Sequence, residues 1–418
     1  MKIEKNLILY LVALVLYLSL FFGYIIDEDL NGGAKSDFYS YVATAKFFSS
    51  DFLNTFSNYD ERNDRHSPVI IILISQLFNF GLSESLIRFL SLNICILNVF
   101  YFYKCLKIKF KVNDTFYLKL FSLIILLSPT FRALSIWPDS RIYGLLFFLI
   151  SLYYFLKFSV EKKNFFYVIL NAFYLSISSY FSPNFAVFSL YFFIYFFTYY
   201  GFNKNIFIYC LINFILAYPA FHYLFIMDVF FLGSSTTPAS QFSDYSFFSL
   251  ANFSNKILII LSIMLFYYLP ILFGDIKKLI FKREKNFFFI VSIISFAIIN
   301  ILYFNYKPMF TGGGVFFQVS NYLFNNNYLL YLITFFAFFI FFIQFFNWNN
   351  LLIILLLIIS NPQITIYHKY YDPFLFFLFF TIFDFKIKKE YFSLKNISLC
   401  YLFYIFFIFI SIYKLLYI

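Results

Sequence analysis

Charge is scarce in this 418-residue chain: Asp, Glu, Lys and Arg make up 12% of it, against 62% hydrophobic residues. Soluble domains carry about a quarter charged residues, so an ordinary water-soluble fold is excluded. Cysteine is nearly missing, and Cys95, Cys105, Cys210 and Cys400 all lie in or beside apolar runs. Neither a disulfide framework nor a thiolate metal cluster is expected from that placement, and they read as small buried hydrophobes. Histidine (3), tryptophan (2), glycine (11) and proline (10) are also rare. No Gly/Ser-rich linker divides the chain and no internal repeat is visible, so residues 1–418 are expected to form a single transmembrane domain.

Present in their place are repeated apolar runs of about 17 to 25 residues, the length that crosses a bilayer core. Lipid offers backbone groups no partner, and runs this continuous do not alternate as barrel strands do. The fold class expected is all-α, a polytopic integral membrane protein. The 73 Phe and 38 Tyr match an A/T-rich coding bias together with Ile, Asn and Lys, and carry little functional weight. The scarce residues carry more.

About thirteen spans are expected, at 6–26, 85–104, 116–131, 141–158, 165–180, 184–200, 205–226, 257–274, 286–303, 328–346, 350–360, 374–385 and 397–416. With the N-terminus inside, 20 of the 31 Lys and Arg face the cytoplasm and 13 of the 20 acids face outward, which satisfies the positive-inside rule. The net charge of +11 is therefore a topology signal. No soluble face is large enough to carry a basic stripe, so nucleic acid is not an expected partner. The first run, from Asn6 to Ile26, has no small-residue cleavage site behind it and reads as an uncleaved span. The segment 67–82 is apolar but short for a span, and crossing would force the basic "KCLKIKFK" outside. It reads as a half-buried or interfacial helix within a long first external loop, residues 27–84.

That loop opens with "DEDLNGGAKSDFYSYVATAKFF", in which Asp37, Tyr41 and Ala45 share one face of a short helix expected to begin at Ser36 or Asp37. Downstream come "DRHSPV" with His66 and Pro68, Arg88 at the head of the second span, "SPTFRALSIWPDSRIYGLLFF" with Arg132, Asp139 and Arg141, and "IYHKYYDPFLFF" with His368 and Lys369. Both glycine clusters, Gly32-Gly33 and Gly312 to Gly314, fall on the outer side.

In the order and spacing of these pieces over residues 1 to about 200, the chain resembles the C-type glycosyltransferase superfamily (GT-C), in particular bacterial relatives of protein O-mannosyltransferases and of lipid A aminoarabinose transferases. Asp37, Tyr41 and Ala45, then His66 and Pro68, then Arg88, and Pro138-Asp139 stand where that pattern has its acidic, His-Pro, Arg and Pro-Asp elements; "HKYYDP" is similar to its late turn. "YFSPN" departs from the pattern, lacking a basic residue there.

The resemblance implies sugar transfer from a polyprenyl-phosphate donor to a lipid, glycan or protein acceptor on the outer face of a bacterial inner membrane, with Asp37 and Asp139 as catalytic carboxylates. Arg88, Arg132, Arg141, His66 and Lys369 are then the donor-phosphate contacts, and Tyr41 and His368 substrate contacts. No definite cofactor is implied; a divalent cation, Mg or Mn, held by Asp27 and Asp29 is left open.

Plainer readings stand beside each of these. Asp37 reads also as a helix N-cap, the acids at 27–29 as a solvated cap, Asp139 as a loop ion pair with its flanking arginines, and His66 as a turn residue. His368 and Lys369 read also as an interfacial anchor pair, His222 as an interior histidine, and Gly312 to Gly314 as either a flexible turn or a phosphate nest. Two other functions compete: a polysaccharide polymerase, in which paired Arg motifs would be expected in the late loops, and a lipid-linked sugar transporter or flippase, in which mid-span charges and a repeated half would be expected.

Overall fold

Segments this apolar close their backbone hydrogen bonds within themselves, and helices follow. The computed structural model describes residues 2–30, 33–62, 66–112, 114–162, 164–231, 249–274, 287–307, 312–344, 346–361, 366–385, 387 and 389–417. Every regular element among them is helical. Among the described residues six helices are long and apolar enough to cross a membrane, or seven if a bent pair is counted as one span: Lys5–Ile25, Glu84–Phe110, Ser140–Val160, Lys204–Ile226, Leu250–Leu272 and Leu394–Ile412, with the bent pair Phe116–Leu127 and Pro129–Ile136. The architecture is compatible with a helical membrane protein. Phe166–Phe181, Phe287–Leu302 and Trp348–Ser360 are apolar but shorter.

The expected span at 116–131 differs from a straight helix. Phe116–Leu127 and Pro129–Ile136 meet at 70°, because proline disfavours helical backbone in the residue before it and Ser128 is extended, with φ −66° and ψ 121°. At 328–346 the α-helix Tyr328–Phe338 passes into a wider turn, Phe339–Gln344. The run expected at 374–385 is helical only over Phe374–Thr381.

In the first external loop, the short helix expected from Ser36 or Asp37 begins earlier and runs over Ala34–Ser50. Gly33, at φ 95°, makes the turn into it, so Asp37 falls in the first helical turn with its amide on Gly33 O at 3.0 Å and is not the cap. The short apolar segment folds as the helix Pro68–Asn79. Ser67 caps it, Pro68 occupies the first turn, and Gly81 at φ 78° follows its end, the sequence signature of a helix start and stop.

The chain forms two compact units. One comprises Leu14–Lys111 and Phe131–Ser240. Within it Ser140–Val160 packs against Phe166–Phe181 and Glu84–Phe110. Small and polar residues let those helices approach, as is common in apolar bundles: Ser178 Oγ donates to Gly144 O at 2.6 Å, and Asn171 Nδ2 donates to Ser151 Oγ at 2.8 Å. The other unit comprises Met1–Ala13, Val112–Thr130 and Gln241–Ile418. Its central helix, Leu250–Gly274, packs against Gly314–Phe324, Tyr328–Phe338 and Leu394–Tyr417. Gly313 and Gly314 have φ near +80°, where a side chain is strained, and a Cβ on Gly314 would sit 3.0 Å from Ile263 Cγ1. The Gly312 to Gly314 turn is held in place by the Gly313 amide, which donates to Ile366 O at 3.2 Å.

Candidate functional site

In the first of these units the first helix ends at Ile25, and the chain reverses through Asp27 at φ 56°. The reversal separates three consecutive acids. Glu28 turns inward: its two carboxylate oxygens each lie 2.6 Å from Arg132, at Nε and Nη2, and Arg132 also donates to Ser19 O at 2.9 Å. Both side chains are buried, and the fork geometry is the strong form of such a pair. Gly23 makes room for it, since a Cβ there would fall 2.9 Å from Arg132 Nη2.

Asp27 stays half-exposed and faces two cations, Arg88 Nη2 at 2.7 Å and Lys35 Nζ at 3.7 Å. The Arg88 guanidinium lies 3.5 Å above the centre of the Trp137 indole, and Lys35 Nζ lies 5.0 Å from the same ring. Trp137 is fully buried and donates from Nε1 to Glu28 O at 2.9 Å. Arg88 Nε donates to Ile136 O at 3.3 Å. Asp29 accepts the Lys35 amide at 3.3 Å.

One helical turn on, Asp37 Oδ2 lies 3.8 Å from His66 Nε2, with both side chains 24% exposed. The Tyr41 ring meets the imidazole edge-on at 5.0 Å, which is the face shared at four-residue spacing. Tyr59 donates to His66 O at 2.9 Å and fixes the turn. Ser67 and Pro68, the next two residues, line an apolar cavity of about 710 Å³. Leu190, Phe193, Ala217 and Ala220 form other parts of its wall. Ser67 Oγ donates to Tyr180 O, which joins the cavity rim to the end of Phe166–Phe181. Pro219 also lines the cavity, inside the helix Lys204–Phe221 and just before the wide turn His222–Ile226.

Asp139 is fully buried and caps Ser140–Val160 by accepting the Arg141 amide at 2.7 Å. The loop ion pair with the flanking arginines is the plainer reading of Asp139; at this cap its bond to Arg141 is through the backbone amide. The structure brings together Asp37, Tyr41 and His66 as one group, and Asp27 and Arg88 as another, while Arg132 is turned to Glu28. Among the described residues no three His, Cys, Asp or Glu side chains converge as a metal site, and the Asp27 carboxylate meets cations in place of a second ligand.

His368 and Lys369 belong to the other unit, in the short turn His368–Tyr370. His368 is buried, its Nε2 lying 3.7 Å from Asp372 Oδ2. Asp372 accepts Ser128 Oγ at 2.5 Å and the Tyr267 hydroxyl. Burial works against its charge, yet His368 and then the two hydroxyl groups outweigh it and hold the carboxyl below the usual aspartate range. Residues 232–248 of the expected outer loop at 227–256, together with Gly32, lie outside the described residues.

Lys35, Trp137 and Asp372 are neighbours of these groups that the residue patterns did not single out, and Glu28, read among the acids of a solvated cap, is instead buried against Arg132. Trp137, one of only two tryptophans, was the available signal. Compared with models of protein families, with curated proteins and with solved structures, the chain matches none.

Proposed function

We propose that the protein is a glycosyltransferase with about thirteen spans. It moves a sugar from a polyprenyl-phosphate carrier to a cell-envelope acceptor on the outer face of a bacterial inner membrane. The observation that carries this reading is the adjacency of the Asp37–His66 pair to the apolar cavity, whose wall begins at Ser67 and Pro68. A carboxylate and an imidazole at the rim of an apolar chamber suit an amphiphile with a reactive polar head.

In the reaction an acceptor hydroxyl attacks the anomeric carbon from the side opposite the phosphate. Asp37 takes the hydroxyl proton. The carbon–oxygen bond to phosphate breaks, and the polyprenyl phosphate leaves with the electron pair. The sugar is thereby inverted. Cations near the leaving oxygen stabilise the charge that builds there; in this reading Arg88 supplies such a charge, and His66, 3.8 Å from Asp37, a further phosphate contact.

The test is sugar transfer in membranes supplied with a panel of polyprenyl-phosphate sugars, wild type against Asp37→Asn at matched expression. Transfer by wild type and a loss of about 100- to 10,000-fold in the variant, the range for general-base help, is the expected result. Equal rates would overturn the role of Asp37, and silence with every donor would overturn the enzyme class.

A further inference from the structure

We infer that Asp27 is a resident counter-ion in an anion seat built by Arg88 and Lys35 over Trp137, and that it gives up this seat to a phosphate group. The inference rests on the reading above in one respect, that the phosphate is the head of a lipid carrier.

The seat is more strongly built than its occupant. Arg88 is 9% exposed, its guanidinium carbon lies 3.5 Å from the centre of a fully buried indole, and its Nε is bonded to Ile136 O. Asp27 is 47% exposed at its side chain and sits on a helix-end turn. Its fit is also poor. Arg88 Nη2 is buried without a hydrogen-bonded acceptor among the described residues, although Asp27 Oδ1 is only 2.7 Å away. The contact is therefore ionic and misaligned. The second oxygen reaches Lys35 only at 3.7 Å.

A phosphate monoester, the head of the carrier once its sugar has left, has three terminal oxygens in place of two and carries more charge, so it can meet Nη2 along its N–H bond and Lys35 at once. Two other acids lie near: Glu28 is already neutralised by Arg132, and Asp29 is tied to the Lys35 amide. With Asp27 displaced, Arg88 and Lys35 face the incoming anion with two positive charges. The aromatic floor supplies a cation–π contact that keeps both cations in place when the carboxylate departs.

Trp137 is the reporter. In a Trp348→Phe background, which removes the other tryptophan, 75% exposed, indole fluorescence of the purified protein is titrated with farnesyl phosphate, with farnesol and with inorganic phosphate. Farnesyl phosphate is expected to change the Trp137 signal saturably and farnesol to leave it unchanged. Asp27→Asn, which removes the competing charge, is expected to bind farnesyl phosphate about tenfold tighter. Lys35→Gln is expected to weaken it about tenfold with unchanged thermal unfolding, since the Lys35 side chain is 39% exposed.

Tighter binding of farnesyl phosphate than of inorganic phosphate supports the lipid head as the source. Equal binding keeps the seat and assigns it to free phosphate. Affinity that is unchanged or lower in Asp27→Asn, or no response to either phosphate, overturns the proposal. Should Asp27→Asn fail to fold, Lys35→Gln decides alone: unaltered affinity overturns it. Normal phosphate binding with no sugar transfer would sink the glycosyltransferase reading and leave the seat standing.

Discussion

The His66 imidazole stands 3.8 Å from the Asp37 carboxylate, and the Tyr41 ring closes against its edge at 5.0 Å. Both residues of the pair are about one quarter exposed, so the carboxylate is reachable from solvent while its neighbour is held by Tyr41 and by the Tyr59 bond to its carbonyl. A negative side chain in the first turn of Ala34–Ser50 also lies at the favourable end of the helix dipole.

If the cavity beside that pair holds the carrier chain, filling it should discriminate by chain length. Ala220→Trp is expected to raise KM at least tenfold for a long polyprenyl donor and to leave a donor with one or two isoprene units nearly unaffected. Initial rates with both donors check this. An equal effect on the two would detach the cavity from the donor.

The buried Glu28–Arg132 pair should matter for folding. Removing one partner of a buried ion pair costs about 3–5 kcal/mol, because the other charge is stranded. Glu28→Gln is therefore expected to unfold at a much lower temperature in detergent. Replacing both, Glu28→Leu with Arg132→Met, should recover most of the loss, and a double variant no better than the single ones would show that the pair acts through something other than its charge.

Asp372 gives a pH signature. Its folded carboxyl is held below the ordinary range, so it contributes stability above the unfolded value and loses it as pH falls through the folded one. The advantage of wild type over Asp372→Asn is expected to be full at neutral pH and to shrink only below the usual aspartate range. Thermal unfolding of both at pH 7 and under acid conditions reads it. A gap that widened with acid would contradict the assignment.

Gly81 and Gly314 form a controlled comparison, with φ of 78° and 80°. Nothing lies within 4 Å of a Cβ on Gly81, whereas one on Gly314 meets Ile263. Gly81→Ala should cost about 1–2 kcal/mol for the left-handed backbone alone. Gly314→Ala should cost about 1–3 kcal/mol more for overpacking, which denaturant unfolding of the two variants would separate.

The helical architecture was legible because apolar run length is a strong signal, and so was the helix Pro68–Asn79, with Ser and Pro at its start and Gly past its end. The break at Ser128 was visible only as Pro129 in an otherwise apolar run, too weak a mark to give the 70° bend. The Asp37–Tyr41 face follows from four-residue spacing. Its meeting with His66 could not be read, since no local rule sets where a turn 25 residues later returns. The partners of Arg88 and Arg132 were equally hidden. Three adjacent acids look alike in sequence, and only the reversal at Asp27 sends Glu28 inward and leaves Asp27 half-exposed.

The Ser128–Asp372 bond joins residues 244 positions apart. At about 5–20 residues per second of synthesis, the aspartate that receives the Ser128 hydroxyl is made roughly 12–50 s after the serine. The bent segment is thus laid down early and tied late. A nascent chain arrested before residue 372 would carry the bend without its tie. For that interval the bend stands on the chain around Ser128 and Pro129 alone.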